Sequence, residues 1–319
     1  MILRSGGAPG PRFNQHRVLE GLRGVRIVSD EVDGELLIEA REALEEYAWL
    51  HGRSARLSLE MLARHVRRPA GRPLRVLELG GAPYFFSALM LEHFDAELTA
   101  VSVEAGAWPG EPARRPRGTV QITLHGGRSA DIDVRVFNIE KDAFPLPDDY
   151  FDVVLCMEVL EHLGYSPSHM LAESHRTMAP DGLMLITVPN FINIKRTVNM
   201  LLNRPTEFPY SGYGIYGRHQ REYAPLEVSR LLEANHYHVA ELATANVWPT
   251  FRDSMGKGVG NAVLNGLSRL PLPWMAHKRE YILCAGRPIG EPVVAYPEWL
   301  YEHRHMYPEP PNGIPALRE

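Results

Sequence analysis

The stretch Arg75-Val76-Leu77-Glu78-Leu79-Gly80-Gly81-Ala82-Pro83 decides how this chain is read. A run of strand character passes directly into two glycines, which lack a Cβ and let the backbone turn sharply and approach a ligand closely. Pro83 suits a first helical turn, where its missing N–H costs nothing. Further short apolar runs lie at Leu98–Val103, Val134–Phe137, Phe151–Cys156 and Leu183–Val188, with helical patterns between them. Continuous apolar runs of this length predict parallel strands buried on both faces. The expected fold class is therefore a doubly wound, Rossmann-like α/β sheet.

The loop after the first strand predicts a nucleoside-bearing ligand. The next strand ends in Val103-Glu104, and a carboxylate there can accept both hydroxyls of a ribose. The spacing G-x-G-x-x-G of dinucleotide sites is absent, because Ala82, Pro83 and Tyr84 come after Gly81. Glu78, two residues before the turn, would repel a pyrophosphate but suits a cationic ligand bearing an ammonium and a sulfonium. S-adenosylmethionine (SAM) carries both and no phosphate.

At this point the residues resemble a family. Leu77-Glu78-Leu79-Gly80-Gly81, then Glu104, then Phe137-Asn138-Ile139-Glu140-Lys141-Asp142-Ala143-Phe144-Pro145, stand in the order of the class I SAM-dependent methyltransferases. Phe151–His162 and Met178-Ala179-Pro180-Asp181-Gly182-Leu183 continue that order, the last matching a Leu-x-Pro-Gly-Gly turn with Asp181 for its first Gly. The chain is similar in particular to the type 11 and type 23 groups, which include ubiquinone-biosynthesis and glycan O-methyltransferases. The resemblance covers about residues 74–243 and implies a seven-stranded sheet with SAM as cofactor. It implies that Gly80 and Gly81 line the methionine and ribose, that Glu78 faces the amino group and that Glu104 binds the ribose. It places Asn138 and Ile139 against adenine and Glu158 beside the cofactor. The family's third loop glycine is replaced around Pro83-Tyr84.

The acceptor side is read from the residues after the fourth strand, over the carboxyl edge of the sheet. Glu158, Glu161 and His162 fall at i, i+3, i+4, on one face of a helical turn. Two carboxylates beside an imidazole suit a general base or a divalent cation. His162 and His219 are the candidate bases, with Glu158 orienting base or acceptor; Glu158, Glu161, His162 and His219 are the candidate metal ligands. The small-RNA 3′-end 2′-O-methyltransferases use a similar Glu-x-x-Glu-His plus a distant His, which keeps a metal-assisted ribose methyltransferase open as an alternative. A catalytically silent SAM-fold binding protein is the third reading. Residues 191–225 should arch over the acceptor, with Tyr213, Tyr216, Arg218, Arg221 and Tyr223 as substrate-binding candidates whose rings and donors suit a sugar or a flat apolar ring.

Composition bounds the rest. The chain has 319 residues, 45% hydrophobic and 23% charged, with a formal net charge of -5. That excludes a global basic field, so DNA is not an expected partner and RNA is disfavoured. The local run Arg53, Arg56, Arg64, Arg67, Arg68, Arg72 and Arg75 reads as a solvated face. Cys156 and Cys284 lie in apolar runs and read as reduced core residues. No apolar run reaches membrane-span length and no signal-peptide h-region is evident, so a cytoplasmic protein is expected. Gly 27 and Pro 26 exceed average usage and point to substantial loop content.

Residues 1–72 are expected to form an N-terminal arm (1–30) and a helical lid from Gly34 to about Val66. Residues 73–286 are expected to form the methyltransferase domain, interrupted at 105–133 by a surface hairpin around His125-Gly126-Gly127-Arg128 and again at 191–225. A helix at 226–235, a strand at 237–243, a helix at about 254–268 and a strand at Tyr281–Ala285 come next. Residues 287–319, with seven prolines, form an extended tail. The lid and tail are candidate homo-oligomer elements. The function expected overall is O-methylation of a hydroxyl on a sugar, glycan or related natural-product small molecule.

Overall fold

A computed structural model describes residues 13, 22, 25–29, 36–38, 41–102, 116–206, 217–247 and 255–318. Its framework is one mixed sheet of β1 (Arg26–Ser29), β2 (Leu36–Ile38), β3 (Leu74–Leu79), β4 (Ala96–Ser102), β5 (Arg117–Thr123), β6 (Ser129–Val136), β7 (Phe151–Met157), β8 (Met178–Pro189), β9 (Tyr237–Ala245) and β10 (Tyr281–Pro288). The strand order is β2-β1-β5-β6-β4-β3-β7-β8-β10-β9. Strands β6-β4-β3-β7-β8 run parallel, and β10 is antiparallel to both β8 and β9. The seven strands from β6 to β9 form the expected doubly wound core, and β5, β1 and β2 extend it at one edge.

Helices cover both faces: α1 (Arg41–His65) and α2 (Phe85–His93) on one, α3 (Pro167–Thr177) and α5 (Pro225–Ala234) on the other, with α4 (Ile194–Leu201) and α6 (Met255–Leu267) beyond the carboxyl edge of β8. Strand alternation sorts the core into two layers. Val76, Val153, Leu155, Leu183, Leu185 and Leu283 join Leu59, Leu62, Phe86 and Leu89 of α1 and α2. Leu77, Leu79, Val154, Cys156, Met184 and Ile186 face the other way and join Met170, Leu171, Val228 and Leu232. Each fully buried side chain of this kind is worth about 1.5–3 kcal/mol relative to leaving it in water. Both cysteines are free thiols in this core.

The structure corrects several sequence expectations. The sequence predicts residues 26–29 in an arm outside the core, yet β1 pairs with β5 and Ile27 is fully buried. It predicts a helix over residues 36–38; they pair with β1 as a strand, where β-branched and Leu residues can add to an open edge. The hairpin at residues 117–136 is present, but its second strand is β6 of the parallel core, so it widens the sheet instead of standing apart from it. The Met178–Leu183 turn lies within β8: Phe151 pairs with Met178 and Val153 with Leu183, so residues 179–182 bulge out. Arg72 clamps Asp152 through both nitrogens, Arg64 holds Glu241 and Arg67 holds Asp181, so much of the basic run is engaged in ion pairs. The tail returns to the body, with Tyr301 Oη within 2.9 Å of Ser166 Oγ and Ser168 Oγ at the start of α3. Among the described residues, no helix is long and apolar enough to cross a membrane.

Candidate functional site

The carboxyl ends of β3, β7 and β8 open into one cavity of about 640 Å³. From β3 come Glu78, Gly80 and Gly81; from β7, Met157, Glu158, Glu161 and His162; from β8, Pro189; and from the segment before α5, His219. Parallel strands place their carboxyl ends on one side, so loops far apart in sequence converge there.

The glycine loop is built for close approach. Gly80 has φ 65°, in the left-handed region, and a Cβ on it would lie 2.7 Å from Val159 Cγ2. Its N–H donates to the Val101 carbonyl at 2.9 Å, which holds the turn against β4. Tyr84, near the replaced third glycine, has φ 66° and carries the chain into α2. Glu78 is buried and accepts a hydrogen bond from Ser87 Oγ of α2. Burial pushes its carboxyl up to about 7, and the Ser87 hydrogen bond only partly opposes this. An acid this enclosed calls for a cationic partner.

On the acceptor side, a short turn after β7 brings Glu158, Glu161 and His162 together. Glu158 has φ 55° and lines the cavity, with its Oε1 enclosed and without a hydrogen-bond partner. Burial pushes its carboxyl up to about 8, eased by a hydrogen bond from Tyr281 and reinforced by the charge of Glu222. Glu161 is fully buried and neither of its carboxyl oxygens has a hydrogen-bond partner. Burial, then the neighbouring Glu158, pushes it well above the ordinary carboxylate range. A buried carboxyl lacking any donor is costly unless something positive fills the gap.

Two imidazoles face that gap. His162 Nδ1 lies 3.1 Å from the Arg218 carbonyl, an acceptor, so that nitrogen donates. His162 Nε2 is 4.0 Å from Glu161 Oε1. His219 Nδ1 lies 2.8 Å from Glu222 Oε1, and Glu222 is paired in turn with Arg196. Burial works to raise Glu222, but its hydrogen bonds to His219 and Arg196 outweigh that and hold it below the ordinary range. An ionised Glu222 fixes the proton of His219 on Nδ1 as well. One potential ligand atom from each of Glu161, His162 and His219 lies within 4.8 Å of the others. Histidines fixed by second partners, beside an unpartnered carboxylate, fit a divalent cation.

Several expected site residues do not line this cavity or lie outside the described residues. Asn138 forms a local turn, its Oδ1 accepting from the Glu140 N–H at 2.9 Å, and Ile139 is buried in the core; neither lines the cavity. Tyr223 is buried in the core and stacks under Arg221, whose guanidinium is 2.8 Å from Glu227 of α5, so this pair braces the segment before that helix. Arg218 is exposed and contributes its backbone carbonyl to His162. Glu104, Tyr213 and Tyr216 lie outside the described residues. Glu222 and His51 are cavity partners that sequence reasoning missed. His51 enters from α1, where burial lowers its pKa to about 4. It belongs to a helical pattern that reads as ordinary packing, whereas the i, i+3 spacing of His219 and Glu222 was a usable signal.

Known proteins resemble this chain. A family model described as a methyltransferase domain (Methyltransf_23) matches residues 48–242. A Mycolicibacterium smegmatis protein described as a "Probable S-adenosylmethionine-dependent methyltransferase" is 30% identical over 110 residues, which are 34% of this chain and 37% of that protein. The match thus spans little more than a third of that relative. Among solved structures, a SAM-dependent methyltransferase from Archaeoglobus fulgidus is 16% identical, covering 73% of this chain and 94% of its own, with a TM-score of 0.41. The 1,6-didemethyltoxoflavin-N1-methyltransferase of Burkholderia thailandensis, solved with S-adenosylhomocysteine, is 19% identical over 74% of this chain and 79% of its own, with a TM-score of 0.39. The chain belongs to the type 23 family of methyltransferase domains.

Proposed function

We propose that this methyltransferase transfers its methyl group to a hydroxyl oxygen of a sugar, a glycan or a related small natural product, with a divalent cation held by Glu161, His162 and His219. The observation that carries this reading is the orphaned carboxyl of Glu161 beside two imidazoles whose proton positions are fixed by Arg218 and Glu222. Glu158 stands at the same wall and orients the acceptor or takes its proton. When bound, the cation would lower the acidity barrier of the hydroxyl.

The rest of the reaction needs little beyond alignment. Glu78 takes the ammonium of the cofactor, and Gly80 and Gly81 allow its methionine and ribose to lie against the backbone. Glu104 is assigned to the ribose hydroxyls, and Asn138 and Ile139 to the adenine side. The acceptor O–H loses its proton to Glu158, the oxygen forms a bond to the methyl carbon, and the carbon–sulfur bond breaks. Its electron pair returns to sulfur, leaving S-adenosylhomocysteine and a methyl ether. Tyr213, Tyr216, Arg218 and Arg221 are assigned to the rim that meets the acceptor.

Ribose on RNA is the competing acceptor for the same ligands. The engagement of Arg64, Arg67 and Arg72 with Glu241, Asp181 and Asp152 supports a small acceptor, since those cations do not form a phosphate-binding stripe. Methyl-labelled SAM offered with a panel of sugars, phenols and short RNAs, with and without EDTA, tests the reading. Label in an alkali-stable ether of a small acceptor supports it. Label in RNA alone, or in nitrogen or carbon, refutes it, and failure to turn over SAM with any acceptor returns the chain to a binding role.

A further inference from the structure

The face beside the cavity, outside the described site, carries an apolar surface with one sign of charge. On α4 and just after it, Met200 is 48%, Leu201 81% and Leu202 55% exposed. Next to α4 packs α6, where Val263 is 57% exposed and Leu267 also reaches solvent. The chain then continues through exposed Leu270 and Leu272 to Trp274, which is 61% exposed. A surface like this costs free energy in water unless something covers it.

Its charge indicates what covers it. No Asp or Glu occurs between residues 191 and 206 or between 254 and 279, although the whole chain has a net charge of -5. The same segments hold Lys195, Arg196, Arg204, Lys257, Arg269, Lys278 and Arg279. Lys195 and Arg196 are engaged with Glu280 and Glu222, while Arg204 and Arg269 are exposed beside the leucines. Leucines and a tryptophan bordered by the exposed Arg204 and Arg269, in two stretches of sequence that hold no Asp or Glu, match the chemistry of an anionic lipid surface.

Helix α6 itself adds an independent sign. Gly260 and Gly266 lie on its exposed side, and a Cβ on either would meet nothing within 4 Å. Packing does not require these glycines, and each costs about 1 kcal/mol of helix propensity relative to Ala. They add no side chain to the exposed surface that Val263 and Leu267 present.

We propose that α4, α6 and the 270–274 segment form an interfacial docking surface for anionic lipid membranes. Arg196 of α4 pairs with Glu222, the partner of His219, so docking here sets the acceptor side of the cavity beside the lipid headgroups. The segment lies on the membrane without crossing it.

Flotation of the full chain with vesicles tests the proposal, using phosphatidylcholine alone or mixed with phosphatidylglycerol. The protein is expected to float with the anionic vesicles and not with the neutral ones, and added salt should release part of it. The pair Leu201→Asp and Trp274→Asp should lower the bound fraction at least about tenfold while calorimetric SAM binding is unchanged. Should that pair fail to fold, Arg204→Glu with Arg269→Glu decides, and is expected to reduce flotation on anionic vesicles. Absence of flotation on anionic vesicles, or flotation unaltered in both pairs, overturns the proposal. So does a wild-type dimer in sedimentation equilibrium that becomes monomeric in the Leu201 and Trp274 pair, which would assign the face to a second copy of the chain.

Discussion

The ring of His162 stands edge-on to that of His219, with centroids 5.0 Å apart and planes at 88°. The two residues come from different loops, 57 positions apart, and each has its Nδ1 committed to a separate acceptor, the Arg218 carbonyl or the Glu222 carboxylate. One potential ligand atom of each lies within 4.8 Å of the other and of a Glu161 oxygen, an arrangement that suits a divalent cation.

Glu222 is the residue on which that arrangement leans. Glu222→Gln keeps the shape but replaces an ionised acceptor with an amide, and it leaves the buried Arg196 without its carboxylate. Metal affinity or turnover should fall about 10–100-fold, and stability by about 1–3 kcal/mol. SAM affinity should be nearly unchanged, because Glu222 is not part of the glycine loop. Calorimetry with SAM and with Mn²⁺, alongside urea unfolding, measures the three quantities separately. Equal losses in SAM and metal binding would mean general disruption.

The cation reading predicts a stability response. A divalent ion in about 100-fold excess over its Kd should stabilise the ligand-free protein by about 2.7 kcal/mol, and EDTA should reverse the change. Glu161→Gln relieves a buried ionisable group, so it should be no less stable than the parent without metal and should lose the response. A response retained in Glu161→Gln would remove Glu161 from the ligand set.

Glu78 and Glu158 have carboxyls raised by burial to about 7 and about 8 in the ligand-free protein. Groups raised in this way favour the folded state while protonated. The contribution of these two groups to ligand-free stability should therefore be greatest below the ordinary carboxylate range and decline as pH rises through about 7 to 8. Cofactor binding should show the opposite trend. The SAM ammonium favours ionised Glu78, so affinity should rise with pH up to about 7, with a proton released on binding below that value. Calorimetry in two buffers of different ionisation heat counts that proton. Glu78→Gln should abolish the proton release and weaken binding.

Gly80 tests the loop itself. Gly80→Ala forces a side chain into a left-handed position and against Val159 Cγ2, 2.7 Å away. The conformation alone costs about 1–2 kcal/mol, and the contact pushes the loop away from the cofactor. Thermal unfolding and SAM affinity should both fall, and adding Val159→Ala should recover part of the affinity. Affinity unchanged in Gly80→Ala would mean the cofactor does not approach the backbone there.

Much of this architecture is legible in the residues. Apolar runs at 75–79, 151–156 and 183–188 form β3, β7 and β8, because a parallel strand buried on both faces leaves an unbroken apolar record. Glu161, His162 and His219 converge as the spacing suggests, since turns at adjacent strand ends have few places to go. The features hidden from the sequence are those that depend on distant partners. β1 and β2 are too short to announce themselves, and only the β5 edge, extended by β1, makes them strands. Tyr223 reads as an acceptor-facing aromatic until the core of β7 and α5 closes over it. His51 sits on a helix whose approach to the cavity no local pattern encodes.

The most direct test of a cation-assisted hydroxyl methyltransferase is the EDTA sensitivity of methyl transfer from labelled SAM to a hydroxyl acceptor, compared between the parent protein and Glu161→Gln. The expected result is an alkali-stable methyl ether formed by the parent, lost with EDTA, restored by added Mn²⁺ or Mg²⁺, and absent from Glu161→Gln under every condition. Ether formation that EDTA leaves intact and that Glu161→Gln retains would contradict the account.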